Sequence, residues 1–194
     1  MIRTVSSIRL GHTSYVVLGS ISLRGASTSY DLKRFVEATL GHFWSFPHSQ
    51  LYAEPDRLAH AGLLSEHREQ NGRRRRIYTI TAAGREALEA WLGEPTPDNA
   101  EIRDPGLLKL FFSELATEDD FRSLAREQAA IHRSLLSRYE SLWQRYGERR
   151  EYAHRNLPLR WGLRMERALV DFWQELGDER LPTAAPPTRK STRR

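Results

Sequence analysis

The chain has 194 residues, no cysteine, and 30 Lys/Arg against 25 Asp/Glu, for a formal charge of +5. That length holds one domain or a small domain with an appendage, and a core can be buried without staples. The missing cysteines exclude disulfides, thiolate metal sites and cysteine nucleophiles together.

The charge is uneven. Residues 1–92 carry 12 basic and 8 acidic side chains, net +4; residues 93–181 carry 14 and 17, net −3; residues 182–194 carry 4 and none, net +4. The front half is therefore the candidate polyanion-binding surface. The N-terminus is interrupted by Arg3 and Arg9 and has no continuous apolar run, so no signal peptide is read there. The most apolar stretch, Tyr15 to Leu23, is too short to span a bilayer. A cytoplasmic chain with no membrane partner is expected.

Residues 1–12 are expected to be flexible. Ser14 to Leu23 is ambiguous by propensity, and the order of elements favours helix. Thr28, three residues before Asp31, resembles a capping box. It opens a helix with Leu32, Phe35, Val36 and Leu40 on one side. Ser45-Phe46-Pro47 makes a turn, and a second helix starts near Pro47. That helix runs through Leu51 and Leu58 to Gly62. Pro55 lies inside it, where a leucine would fit the spacing, and an interior proline costs roughly 3 kcal/mol. A kink or tilt is the expected result.

Asn71-Gly72 is the strongest short hairpin signal in the chain. A two-residue loop there sets Glu69 opposite Arg74. Ile77 and Thr79 fall on one face of the return strand, Tyr78 and Ile80 on the other. Thr81 caps the next helix. Glu94 to Asn99 is a breaker cluster, read as a linker over 94–105. Leu107, Leu108, Leu110, Phe111, Phe112 and Leu115 form a short helix that is apolar almost all round and so is expected to be buried. Thr117 caps a long helix. Its stripe is Phe121, Ala125, Gln128, His132, Leu135, Tyr139, Leu142 and Tyr146, at steps of four and three. A last helix follows Asn156 and Pro158, with a wide apolar face. The tail, 179–194, lacks periodicity and is expected to be disordered.

The reading is mainly α, with two domains. Residues 13–93 form a winged helix-turn-helix of three helices plus a two-stranded wing. Residues 106–178 form an α-helical C-terminal dimerisation domain. A helix can enter the major groove, where base edges are distinguishable, and a hairpin beside it can reach the backbone. Arg73, Arg74, Arg75 and Arg76 sit at that hairpin, where guanidiniums neutralise phosphates and release counterions. An arginine run is also often a solvated face, and part of this one can be a cross-strand ion pair.

The pieces Thr13 to Gly19, Tyr30-Asp31-Leu32-Lys33, Phe43-Trp44-Ser45, Gln50-Leu51-Tyr52, Arg57 to Leu64 and Gly72 to Arg85, in that order, resemble the PadR family of transcriptional regulators. The helical second half is similar to the larger members, whose last region is a helical domain also found in virulence activators. The resemblance implies a homodimeric DNA-binding regulator, usually a repressor, released by a ligand in some members. It makes the helix carrying Gln50-Leu51-Tyr52 the recognition helix. Its N-terminal end holds His48, Ser49, Gln50 and Tyr52, and Gln50 can pair with adenine in bidentate fashion. Ser49 also reads as a cap, and Tyr52 as packing. Lys33 and Arg57 are phosphate-contact candidates, with solvated surface the rival reading.

Leu159, Leu163, Met165, Leu169, Phe172 and Trp173 are the expected dimer seam. Trp143, Trp161 and His132 read first as core and interface packing. The sharper reading makes them the lining of a pocket for a small aromatic effector, between the DNA-binding domain and the helical arm. None of the seven histidines shows close metal-ligand spacing, and no Gly-rich phosphate loop or Ser–His–acid motif is present. No metal, cofactor or catalytic residue is expected, and the chain is not read as an enzyme. The rival function is a winged-helix module that binds protein and not DNA.

Overall fold

A computed structural model describes residues 8–44, 48–70, 74–96 and 102–179. The turn at Ser45 to Pro47, the dipeptide Asn71-Gly72, Arg73, residues 97–101 of the 94–105 linker and the tail from residue 180 lie outside the described residues, as do residues 1–7. The chain divides into two compact units, 1–98 and 99–194. Among the described residues no helix is long and apolar enough to cross a membrane.

In the first unit, α1 (His12–Arg24), α2 (Ser29–Ala38) and α3 (His48–His60) precede a hairpin of β1 (Leu64–Arg68) and β2 (Arg76–Ile80), and α4 (Ala82–Gly93) closes the unit. Gly25 ends α1 with a φ of 84°, a value costly for side chains with a Cβ. The Thr28 hydroxyl accepts from the Asp31 amide, and the Asp31 carboxylate accepts from the Thr28 amide and hydroxyl. The expected capping box thus opens α2. These bonds from Thr28 hold the Asp31 carboxyl below its ordinary value, against a smaller opposing effect of burial.

The core gathers one stripe from each helix: Val17, Leu18 and Ile21 of α1, Leu32 and Val36 of α2, Leu51 and Leu58 of α3, with Leu64, Tyr78 and Ile80 from the wing. Tyr15 stacks on Trp91, with ring centroids 4.5 Å apart, and joins α1 to α4. Ile8 and Leu10 also pack on this core, so residues 8–12 belong to the unit and are not a flexible lead-in. Pro55 is buried between Leu51 and Leu58 inside an unbroken helix, so its ring takes the apolar position where a leucine would fit the spacing.

The hairpin register pairs Leu64 with Ile80 and Arg68 with Arg76. Continuing it sets Glu69 against Arg75, and the Glu69 amide donates to the Arg75 carbonyl. This corrects the expected pairing with Arg74. The cause is burial. Leu64, Tyr78 and Ile80 must all face the core, and a slip of one residue would turn one strand's set to solvent. Ser27 adds a single bridge to Tyr78.

The second unit contains α5 (Pro105–Phe111), α6 (Glu118–Tyr146) and α7 (Asn156–Asp178), with short 3-10 turns after α5 and α6. Helices α6 and α7 pack along their length, and Ala125, Ala129 and Trp173 form a buried cluster between the first half of α6 and the last turns of α7. The Thr117–Asp120 capping box starts α6. Asn156 is buried at the start of α7 and donates to the carbonyl of Tyr146, which ties the turn back to the end of α6.

Two expectations fail here. Helix α5 is not buried within its chain: Phe111 is 79% exposed and Leu115 88% exposed, with Leu107, Leu108 and Phe112 also open. Only Gly106 is buried, beside Gln128, and Leu110 packs toward the α6–α7 contact, so α6 covers one side of α5 and none of the unit's described residues covers the rest. Trp173 is 0% exposed and Leu163 is buried, both within the chain's own helical unit. Neither has a face left for a partner, which removes them from the expected dimer seam. Phe172 is exposed, and Leu159, Met165 and Leu169 are half-buried.

Candidate nucleic-acid interface

The first turn of α3 holds His48, Ser49 and Gln50. Ser49 and Gln50 are exposed and Tyr52 is 48% exposed. Because Leu51, Pro55 and Leu58 anchor one face of α3 in the core, these polar side chains fall on the outer side.

Helix α1 meets this end of α3 through a polar seam. The Thr13 hydroxyl donates to Gln50 Oε1 at 2.8 Å. One residue on in α1 and one turn on in α3, the Ser14 hydroxyl donates to Glu54 Oε1 at 2.6 Å and accepts from the Arg57 guanidinium at 3.0 Å. Arg57 also donates to both Glu54 oxygens and to the Arg9 carbonyl. Burial pushes the Glu54 carboxyl up, but hydrogen bonds from Arg57 and Ser14 and the Arg57 charge outweigh it and hold the carboxyl below its ordinary value. Arg57 is thus a clamp between α3, α1 and the segment before α1, which competes with its expected use on phosphate.

The wing is similarly self-paired. Arg75 donates twice to the Glu69 carboxylate, both at 2.9 Å. Arg76 bridges Glu66 of β1 and Asp56 of α3, each at 2.9 Å. Arg68 also reaches Glu66, at 2.7 Å. Hydrogen bonds from Arg68 and Arg76 keep the Glu66 carboxyl low, and that from Arg75 does the same for Glu69, in each case against a smaller effect of burial. Arg74 is exposed at φ 46° and forms no ion pair among the described residues. Lys33 lies 3.6 Å from Glu37 on the surface of α2.

The structure brings Ser49, Gln50, Tyr52 and Arg57 onto one helix, and Arg74, Arg75 and Arg76 onto the wing. Arg73 lies outside the described residues. Sequence reasoning missed Thr13, Ser14, Glu54 and Asp56, the groups that hold Gln50, Arg57 and Arg76. The signal for them was the i, i+4 spacing of Gln50 and Glu54 opposite adjacent hydroxyls in α1, which is visible only once the two helices are known to pack.

The expected effector trio is not assembled. His132 Nδ1 lies 2.7 Å from Glu166 Oε2 between α6 and α7, and both side chains are nearly buried. Trp143 is three turns further along α6, about 16 Å by helical rise. Trp161 is 56% exposed. A cavity of about 590 Å³ in this unit is lined by Leu108, Phe112, Phe121 and Leu124 among others, and by none of the three.

Residues 17–90 match the model of the transcriptional regulator PadR-like family, and residues 102–178 match that of the virulence activator alpha C-terminal region. The negative transcriptional regulator PadR of Bacillus subtilis is 26% identical over 133 residues, 68% of this chain and 72% of that protein. The crystal structure of Bacillus subtilis PadR in complex with operator DNA superposes with a TM-score of 0.75 at 25% identity, covering 84% of this chain and 96% of that one. The Vibrio cholerae virulence activator AphA gives 0.66 at 27% identity, covering 84% and 95%.

Proposed function

The chain belongs to the PadR-like family of transcriptional regulators, is DNA-binding and not an enzyme, and from that premise we propose that it works in the cytoplasm as a homodimeric repressor on a pseudo-palindromic operator. The observation that carries the reading is the exposed first turn of α3 beside an arginine-bearing wing. In this reading Ser49, Gln50 and Tyr52 face base edges and nearby phosphates, with His48 at the start of the same turn. Arg73 to Arg76 meet backbone phosphates, with Lys33 and Arg57 as further candidates. The relative captured on operator DNA shares the fold over most of both chains. Repression follows the negative regulator among the relatives, although a virulence activator shares the fold as well.

The homodimer rests on apolar surface. Ile102, Leu107, Leu108, Phe111, Phe112 and Leu115 are all exposed within a short stretch of chain. Contiguous apolar patches beyond a few hundred Å² mark interaction sites. A two-fold partner would cover this surface together with Phe172, Trp161, Leu159, Met165 and Leu169, and would present two recognition helices one DNA turn apart. Release by a small aromatic effector completes the reading. A native mass spectrum of the dimer purified from its source, showing retained ligand, checks that part.

The rival reading, a winged-helix module that binds protein, is favoured by the pairing of Arg75 and Arg76 with Glu69, Glu66 and Asp56, which lowers the free positive charge of the wing. The separating experiment is the salt dependence of binding to DNA fragments. The DNA reading expects a steep negative slope of log K against log salt, reduced by about 1 in Arg74→Ala. A slope near zero, unchanged in that variant, supports the rival.

A further inference from the structure

Gln50 is the side chain best placed to read a base, and its amide is already half engaged. The Thr13 hydroxyl donates to Gln50 Oε1 at 2.8 Å. Thr13 is the second residue of α1, so no earlier helical turn holds it. The carbonyl four residues back, that of Arg9, accepts from Arg57 instead. The contact is fixed from below by the Ser14–Glu54 bond, one residue on in α1 and one turn on in α3, and by the core contacts of Val17, Leu18, Leu51 and Leu58. Gln50 Nε2 makes no hydrogen bond among the described residues, and the side chain is exposed. The amide therefore shows its surroundings two N–H donors, with its oxygen turned toward α1.

That orientation matters for readout. A free glutamine can read adenine with oxygen and nitrogen together, accepting from N6 and donating to N7. A glutamine whose oxygen is committed to a neighbour presents donors. In the major groove guanine offers two adjacent acceptors, O6 and N7, and thymine offers O4; adenine pairs its N7 acceptor with an N6 donor that a turned-away oxygen no longer meets, and cytosine offers only its N4 amino donor. We propose that Thr13 is a positioning residue that sets the base preference of Gln50, turning it from an adenine reader into a donor that favours guanine or thymine and rejects cytosine. This revises the adenine pairing expected from sequence. It rests on the reading that α3 enters the major groove.

The test is selection of duplexes from a random-sequence pool by the full-length protein, followed by sequencing, for the wild type, Thr13→Val, Thr13→Ala, Thr13→Ser and Gln50→Ala. Thermal melting of each variant accompanies it. The wild type is expected to enrich guanine or thymine at one symmetry-related pair of positions. Gln50→Ala flattens the preference at that pair alone. Thr13→Val and Thr13→Ala free the oxygen, and adenine there gains on the order of tenfold over guanine. Thr13→Ser keeps the hydroxyl and the wild-type preference. A loss of stability alone would weaken binding to every sequence equally and leave base frequencies unmoved.

Wild-type frequencies at every position in both Thr13→Val and Thr13→Ala overturn the proposal. So does an unchanged pattern in Gln50→Ala, or adenine preferred by the wild type at the Gln50 position. If the wild type enriches no sequence, sequence-specific DNA binding itself fails and the proposal falls with it, which is a distinct result from the other three.

Discussion

Gly84 stands where α4 leaves the wing. The Thr81 hydroxyl accepts its amide as the helix cap and itself donates to the carbonyls of Gly62 and Leu63. A Cβ on Gly84 would collide with the Leu63 carbonyl oxygen and stand 3.0 Å from Ile80 Cγ1. The backbone at Leu63 has no room to yield, because Leu63 itself is buried and its carbonyl also accepts from the Thr81 amide. Gly84→Ala is expected to destabilise the protein by about 3 kcal/mol, read as a lower midpoint in urea unfolding. Glu54 gives a second residue-level outcome. Its carboxyl is held below the ordinary 4.5 in the folded protein, so on acidification the unfolded chain takes up the proton first. Its contribution is complete above about pH 4.5 and is lost as pH falls through the lower folded value. Glu54→Gln should therefore show a flatter decline of melting temperature between pH 5 and 3 than the wild type, a comparison for calorimetry. The Thr-x-x-Gly pattern at 81–84 was legible as a pattern, but its cause, the Leu63 carbonyl, lies across the hairpin. The Thr13–Gln50 contact was not legible at all, since 37 residues separate the pair and only helix packing brings them together.

At the level of elements, legibility tracked how local the deciding force is. The stripe on α6 was readable because its period is set by one helix; Phe121, Ala125, His132 and Tyr139 are indeed buried. The wing faces were readable from alternation, whereas the register was not. The core contacts of Leu64, Tyr78 and Ile80 chose it, and a turn signal alone could not. Helix α5 shows the opposite limit. An all-round apolar pattern states that a surface needs cover, without saying which chain supplies it. Pro55 illustrates a third case: its helix cost was legible, and its compensation, a ring packed in the core, was not. The α6–α7 pair carries its own prediction. His132 and Glu166 are each about one-tenth exposed and bonded at 2.7 Å across the two helices. Removing the carboxylate in Glu166→Ala leaves a nearly buried imidazole without that partner. A loss of about 2 kcal/mol is expected from thermal unfolding. The double change His132→Leu with Glu166→Leu should recover much of it, as apolar replacement of a buried polar pair commonly does.

For the whole molecule, the proposed homodimer rests on the apolar surface around α5. Size-exclusion chromatography with light scattering is expected to give twice the chain mass at micromolar concentration. Leu115→Asp combined with Phe111→Asp should shift it to the monomer, because each carboxylate would otherwise be buried unpaired. A folded wild-type monomer at that concentration would remove the dimer. Charge is organised at the same scale: the basic excess of the front half meets the world through a wing whose arginines already hold carboxylates. Glu66, Glu69 and Asp56 occupy the guanidiniums much as phosphate oxygens would, and so act as a tethered competitor for any polyanion. If the wing meets phosphate as proposed, a duplex would have to displace these carboxylates first. On the proposed DNA-binding reading, the expected consequence is a shorter dwell on non-target duplex than unpaired arginines would give.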